Sequence, residues 1–544
     1  MVMKKVKLSE LTLREKIGQT GIPHPAYDFK DENKPFGMSW AVGGLKMAFV
    51  NMDFTPRNDL VMKADEYIGE TKRINKSLKV PLLSGMDCNY GISGAFYEFE
   101  PIAAAPIIGA ANDEELAFEI GKMRGLHLKR AGSNWIWGPE VDLASRDSKI
   151  FYGRLYSDNP EKVTKMAIAE MKGSQSVGVA ATVKHFPGAD ELESRDPHTS
   201  LQMIHISYEE WEKRQGKIFQ KLIDEGVYSV MTSHTSFPAY DGTMVNGNYI
   251  PASASYKIIT ELLKGKMGFK GVVVTDAVKM LGLSSVFGDL KRVYIETLKA
   301  GNDAILGVDE DYIDVIYEAV QNGEISEERI NDACQRVLDM KEKIGLFEED
   351  LYNETFDSIE TLNIKTRELN KKVFDAGVTL ERDNLDLLPQ KDIKRVGIIA
   401  ITPQETLIDV LKSGLCSSFE KRGVKTTVTR NLYSYDEIKK ISDENDLIIY
   451  VAARQGKYKY FGVDERESYN FILYEGAEKS VGVSFGDPYV FFDEFSICNT
   501  FINAYDTTKE AQDAVVGAIM GEIPLKNTQA FNVVPKALRK YENF

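Results

Sequence analysis

From residue 40 to residue 310, short apolar runs alternate with segments of helical periodicity. The runs are GGLKMAFV (43–50), KVPLLSGMD (79–87), NWIWGPEVD (134–142), VAATVKHF (179–186), VYSVMTSH (227–234), GVVVTDA (271–277) and DAILGV (303–308), with a weaker candidate near Gln19 to Ile22. Between two of them, EEWEKRQGKIFQKLIDEG carries Ile218, Phe219, Leu222 and Ile223 at helical spacing and ends on Gly226, a C-cap residue. Strands that alternate with helices and are apolar on both faces predict a parallel sheet covered by helices. Eight such units predict a (β/α)8 barrel. The polar positions favour a closed ring over an open sheet: Asp87, Asp142, Lys184-His185, His234 and Asp276 each fall where a different strand ends. In a barrel those ends meet at one mouth, where barrel enzymes place their sites.

A charged helical stretch, about 310–375, leads out of this region. A second alternating pattern follows, from KRVGIIAI (394–401) through DLIIYVAAR, SVGVSFGDPYVFF and TFINAYD to the helix DTTKEAQDAVVGAIMG. It predicts a smaller α/β three-layer sandwich over 376–544, after a barrel and exit helices over 1–375. No GxGxxG turn is present, so no nucleotide is assigned to it.

Composition narrows the partners. The chain has 544 residues and a net charge of -15, from 67 basic and 82 acidic residues, which suits neither nucleic acid nor an anionic membrane surface. No apolar run is long enough to span a bilayer, and the amphipathic start MVMKKVKLSELTLREKIGQ lacks the apolar core of a signal peptide. Cys88, Cys334, Cys416 and Cys498 show no metal-type spacing and read as free thiols of a reducing, cytoplasmic compartment. No cofactor or metal is expected, and the oligomeric state is expected to be monomer or homodimer.

Candidate chemistry concentrates in VKHFPGADELESRDPH, Val183 to His198, which ends a strand in Lys184-His185 and then turns at Pro187-Gly188. Asp276 ends the apolar run Val272–Val274. A carboxylate and a histidine loop at strand ends are material for acid/base and nucleophilic catalysis. Blander readings stand beside each residue: Asp276 as an N-cap to a helix starting at Ala277, Asp196 and His198 as part of a solvated charged loop, Arg154 as a structural ion pair, Asp87 as a turn cap. Asp142 reads as a brace to Arg146, Cys88 as a spectator, Trp135 and Trp137 as core packing, and His234 as a rim residue shaping the pocket.

Taken together, LSELTLREKIGQ, the strand ending in Asp87, RLYSDNPEKV around Arg154, VKHFPG followed by Asp196-Pro-His198, VMTSH, the strand before Asp276, AGNDAIL, and SVGVSFGDPYVFF with its late helix resemble glycoside hydrolase family 3, in its β-N-acetylhexosaminidase branch. The resemblance implies a retaining glycosidase acting on a carbohydrate, with Asp276 as nucleophile, His198 as acid/base and Asp196 as its orienting partner. It also implies Asp87, Arg154, Lys184 and His185 as ligands of the terminal sugar, with His234 beside them. Such a pair of groups suits the chemistry. A retaining enzyme needs an ionised nucleophile and a nearby proton donor, and an imidazole gives and retakes a proton near neutrality. Two departures bear on specificity: Ala189-Asp190 follows KHFPG where the branch has His-Gly, and Cys88-Asn89-Tyr90-Gly91 replaces an acidic-Gly-Gly run. The expectation is an exo-β-N-acetylglucosaminidase acting on cell-wall or chitin-type oligosaccharides. The competing readings are a β-glucosidase or β-xylosidase with a second-domain glutamate, a β-N-acetylglucosaminide phosphorylase, and an inactive sugar-binding protein.

Overall fold

In the computed structural model, residues 5–23, 36–40, 63–146, 152–348, 356–402, 405–432, 434–453, 475–490, 496, 498–526 and 530–533 are described. Eight parallel strands form the first unit: β1 (Gly21–Pro23), β2 (Met38–Trp40), β3 (Leu83–Met86), β4 (Trp135–Ile136), β5 (Ala180–Phe186), β6 (Ser229–Thr232), β7 (Val272–Thr275) and β8 (Ile305–Val308). Strands β2 to β7 form one sheet in chain order. β8 pairs with β1 and meets β7 at the Val274–Ala304 bridge. The Gly37 N–H, donating to the Gly18 carbonyl at 2.9 Å, joins β2 to the segment before β1. The ring is therefore closed, as the strand-end residues predicted. The expected run at 43–50 lies outside the described residues.

The barrel is filled by side chains, not hollow. Ile22, Met38, Leu83, Trp135, Val272, Val274 and Leu306 pack inside it. Its lower end is plugged by the helix Glu327–Lys343, whose Val337 and Met340 join the same cluster. Helices such as Glu114–Ala131 and Pro160–Ser176 cover the outside; each begins on a side-chain cap, Asp113 or Asn159.

The helix Ile359–Gly377 leads into the second sheet. Its Asn370 accepts from the Ala103 N–H and donates to the Pro101 carbonyl, and its Asn363 does the same for Glu100 N–H and Glu98 carbonyl. The second unit is an open six-stranded sheet: β9 (Thr379–Asp383), β10 (Arg395–Ile401), β11 (Lys425–Arg430), β12 (Leu447–Ala452), β13 (Ser480–Ser484) and β14 (Thr500–Asn503), in the order β9-β14-β13-β12-β10-β11. Only β9 runs antiparallel. The central strand β12 is buried throughout, because helices lie on both faces, whereas the edge strand β11 is partly exposed. One continuous apolar cluster runs from barrel helices through Phe374 into this sheet. Among the described residues no helix is long and apolar enough to cross a membrane.

Candidate active site

The strand ends converge as a barrel requires. Asp87, Arg154, Lys184, His185, His198, His234 and Asp276 line one cavity of about 220 Å³, the size of a single sugar ring with a substituent. Every lining residue comes from the barrel. The floor is apolar, from Trp137, Met231 and Leu306. Gly85 on β3 makes room for the Trp137 indole, since a Cβ there would meet its ring at 2.7 Å. Trp135 packs in the core as expected, donating from Nε1 to Thr182 Oγ1; Trp137 reaches the cavity as well.

Three cations face the cavity, each beside a carboxylate. Lys184 Nζ donates to Asp87 Oδ1. Arg154 Nη2 lies 2.5 Å from Glu140 Oε2. His185 donates from Nδ1 to Asp142 Oδ2 at 2.7 Å, and its backbone N–H donates to the same oxygen at 3.3 Å. The other ring nitrogen, Nε2, stands 3.8 Å from Asp276 Oδ2. The Lys184–His185 peptide is cis. Asp276 Oδ1 accepts from the Ala277 N–H at 2.7 Å. The following helix starts only at Leu281, so Asp276 is not the N-cap of a helix at Ala277. The histidine loop is held from within. His198 Nδ1 pairs with Asp196 Oδ1 at 2.7 Å, and the His198 N–H donates to that oxygen. Asp190, the residue that departs from the KHFPGHG pattern, accepts from the Leu192 and His205 N–H groups at 2.8 and 2.6 Å. It staples the loop that carries His198, whose side chain is 52% exposed.

The electrostatics follow from these pairs. Burial would raise the pKa of Asp276, but His185 first, then His234, the Ala277 N–H and Lys184 hold it below the ordinary aspartate value. Burial opposes charge on His185; Asp142, Glu140 and Asp276 outweigh it and hold its pKa above the usual imidazole value. Asp87, at the cavity mouth, is likewise held below the ordinary aspartate value by Lys184 and Arg154. His234 is different. Burial lowers its pKa, and both ring nitrogens are engaged, Nε2 with the Ala277 carbonyl at 3.0 Å and Nδ1 with Ser253 Oγ at 2.8 Å. It holds the turn after Asp276 and shapes the cavity wall.

The structure thus gathers all the expected ligand positions and both proposed catalytic groups into one cavity. Two acidic residues were missed as site members. Asp142, read as a brace to Arg146, instead binds the His185 ring. Glu140, which was not singled out, is fully buried under Arg154. Glu140, Asp142 and His185 offer metal-type ligand atoms within 4.8 Å of one another, but Glu140 faces a guanidinium and Asp142 receives a ring proton, so the cluster is already a set of charge pairs. All four cysteines are free and buried. Burial pushes the Cys88 thiol up, in keeping with a spectator.

The glycosyl hydrolase family 3 N terminal domain profile matches residues 12–340. The chain belongs to glycosyl hydrolase family 3. It is a glycoside hydrolase by that membership. Within the family, it is 24% identical over 492 residues to the β-N-acetylglucosaminidase/β-glucosidase of Cellulomonas fimi, covering 85% of this chain and 86% of that protein. In fold it is similar to a family 3 β-N-acetylglucosaminidase from Paenibacillus sp. str. FPU-7 (TM-score 0.77, 22% identity, 96% of this chain and 99% of that one). It is similar also to the β-glucoside phosphorylase BglX (TM-score 0.80, 24% identity, 97% and 94%).

Proposed function

We propose that this family 3 enzyme is a retaining exo-β-N-acetylglucosaminidase. It releases terminal N-acetylglucosamine from cell-wall or chitin-type oligosaccharides. The observation that carries the reading is that Asp276, beside the His185 ring, and the Asp196-paired His198 line one sugar-sized cavity. In the first half-reaction an Asp276 oxygen bonds to the anomeric carbon while His198 protonates the departing oxygen. In the second, water attacks that carbon, His198 takes its proton, and Asp276 leaves as carboxylate. Asp196 on Nδ1 orients the ring so that Nε2 carries the proton to be given, as an aspartate does in hydrolase triads. Asp87, Lys184 and Arg154 grip the hydroxyls of the terminal ring by charge-assisted hydrogen bonds. A cavity of about 220 Å³ suits one terminal ring better than a mid-chain unit. The Asp196–His198 pair, together with the name of the Cellulomonas fimi relative, supports the N-acetyl sugar. Working in the cytoplasm on recycled wall fragments fits the acidic chain and its free thiols.

The test is a panel of aryl β-glycosides, with and without phosphate. Preference for the N-acetylglucosaminide, with turnover independent of phosphate and abolished in Asp276→Ala, is the expected result. Preference for the glucoside gives the β-glucosidase reading instead. Phosphate-dependent formation of sugar 1-phosphate gives the phosphorylase reading, which an imidazole acid favours because it repels a phosphate less than a carboxylate would.

A further inference from the structure

The three cation–carboxylate pairs at the barrel mouth are not equivalent. Asp87, which pairs with Lys184, has a side chain that is 51% exposed, so water reaches that pair. Glu140 and Asp142 follow β4 two residues apart, and both carboxylates reach the same place, their oxygens and a His185 ring nitrogen lying within 4.8 Å of one another. Both are closed off from water, at 0% and 2% exposure. One takes Arg154, the other His185. The exit of β4 therefore works as a two-toothed comb seating two cations. Their targets differ: Arg154 is a sugar ligand at the rim, whereas His185 stands between Asp142 at 2.7 Å and Asp276 at 3.8 Å.

We propose that Asp142 is a positioning residue for the nucleophile, acting through His185: the row Asp142–His185–Asp276 keeps a positive charge beside the Asp276 carboxylate, so that it is already ionised in the free enzyme that meets the sugar. The inference rests on the reading of Asp276 as nucleophile. The two bonds to one Asp142 oxygen, from the His185 backbone and ring, fix the ring and leave Nε2 3.8 Å from Asp276 Oδ2. The raised pKa of His185 and the lowered pKa of Asp276 agree with this. The other charged groups acting on the row are known: Glu140 from the same segment as Asp142, Lys184 beside His185 on β5, Asp87 after β3, Arg154 from its loop and His234 after β6. His198 acts on His234 from the loop above. Glu140, Asp142 and Asp276 favour the imidazolium. Lys184, Arg154 and the imidazolium favour the carboxylate form of Asp276.

A 2,4-dinitrophenyl glycoside isolates the nucleophile. Asp276 bonds to the anomeric carbon, the carbon–oxygen bond to the aglycone breaks, and its electron pair leaves with dinitrophenolate, with no proton required from His198. The acidic limb of kcat/KM against pH then reports the free enzyme's Asp276. In Asp142→Asn the limb is expected to move up by about one pH unit, roughly a ten-fold loss below it, with most activity regained above it. Glu140→Gln, which frees Arg154 and takes from His185 only a charge that is not bonded to its ring, is expected to lower kcat/KM at every pH and to move the limb less than Asp142→Asn does. An unmoved limb in a folded Asp142→Asn, or a loss that does not vary with pH, overturns the proposal. Thermal unfolding checks the fold. Should Asp142→Asn not fold, His185→Gln is read the same way, with a shifted limb expected and an unmoved one overturning. A wild-type enzyme inert on every aryl glycoside would sink the functional reading itself; an active one with an unmoved limb sinks this inference alone.

Discussion

The backbone N–H of Leu281 donates to the carbonyl of His198 at 3.2 Å. The proposed acid and the proposed nucleophile are thus tied through the main chain, because Leu281 opens the helix that follows Asp276. Gly282 makes the approach possible: a Cβ there would meet the carbonyl oxygens of Pro197 and Ser200, each at 2.9 Å. Backbone atoms cannot swing aside as a side-chain tip can. Gly282→Ala is therefore expected to displace the histidine loop. Because a small misplacement of a catalytic group is costly, kcat on a sugar aglycone should fall about 10–100-fold, beyond any loss of thermal stability from the displaced backbone. Unchanged kcat in that variant would show that the loop has no fixed seat on the helix.

His198 is exposed enough to meet an aglycone, and its Nδ1 is committed to Asp196. Removing the imidazole should cost most where the leaving oxygen most needs a proton. His198→Ala is expected to lose about 10²–10⁴ in rate on an N-acetylglucosamine disaccharide and far less on the dinitrophenyl glycoside. Asp196→Asn should follow the same order, since an asparagine amide can donate to Nδ1, which leaves a proton on Nε2 but disfavours the imidazolium that would give it up. Equal losses on both substrates would remove the acid role.

The barrel was legible because its strands are apolar on both faces and end abruptly in charge, as at Val274-Thr275-Asp276. The sequence reading missed what depends on contacts across the ring. Asp142 and His185 are 43 residues apart, so nearness in sequence suggested Arg146 as the partner instead. Glu140 and Asp142 alternate beyond a strand of only two residues, Trp135–Ile136, too short for a periodicity to register. A faint signal existed: acidic residues two apart directly after a buried apolar run have no room to be solvated. Asp190 shows the converse. A residue that departs from the family pattern in sequence serves a local purpose, stapling the loop, which only its two N–H donors reveal.

Beyond the active site, Asp506 follows the last strand of the second sheet and is buried. Burial pushes its carboxyl up to about 6, although the Thr508 and Thr507 N–H groups oppose this. A folded-state value above the unfolded one means that the native protein binds the extra proton. The associated stability is present below the ordinary aspartate range and is lost as pH rises to about 6. Asp506→Asn keeps an acceptor for Thr508 and has no charge to bury. It should gain on the wild type by on the order of 1–3 kcal/mol between pH 4 and pH 7. Denaturant melts of both proteins at those pH values measure the difference, and parallel curves would contradict it.

Lys341 poses the opposite case at the other end of the barrel. Its side chain is wholly buried and donates to Gln19 Oε1 and the Gly37 carbonyl, each at 2.7 Å. Burial brings its pKa down to about 7. A neutral amine has two N–H groups for these two acceptors, so the site needs no charge. The unfolded chain, however, holds a lysine proton until pH ~10.4. Between about pH 7 and pH 10, unfolding therefore takes up a proton, and stability should rise with pH by about 1.4 kcal/mol per unit from this residue alone. Below pH 7 that gain is gone. Lys341→Met keeps the aliphatic stem and removes the titration. The variant loses two hydrogen bonds, so it should be less stable at pH 9. Its deficit should shrink steadily toward pH 7, because protonation of the unfolded wild-type lysine progressively favours unfolding as pH falls. A deficit that stays constant from pH 7 to pH 9 would mean that the native lysine is charged throughout that range.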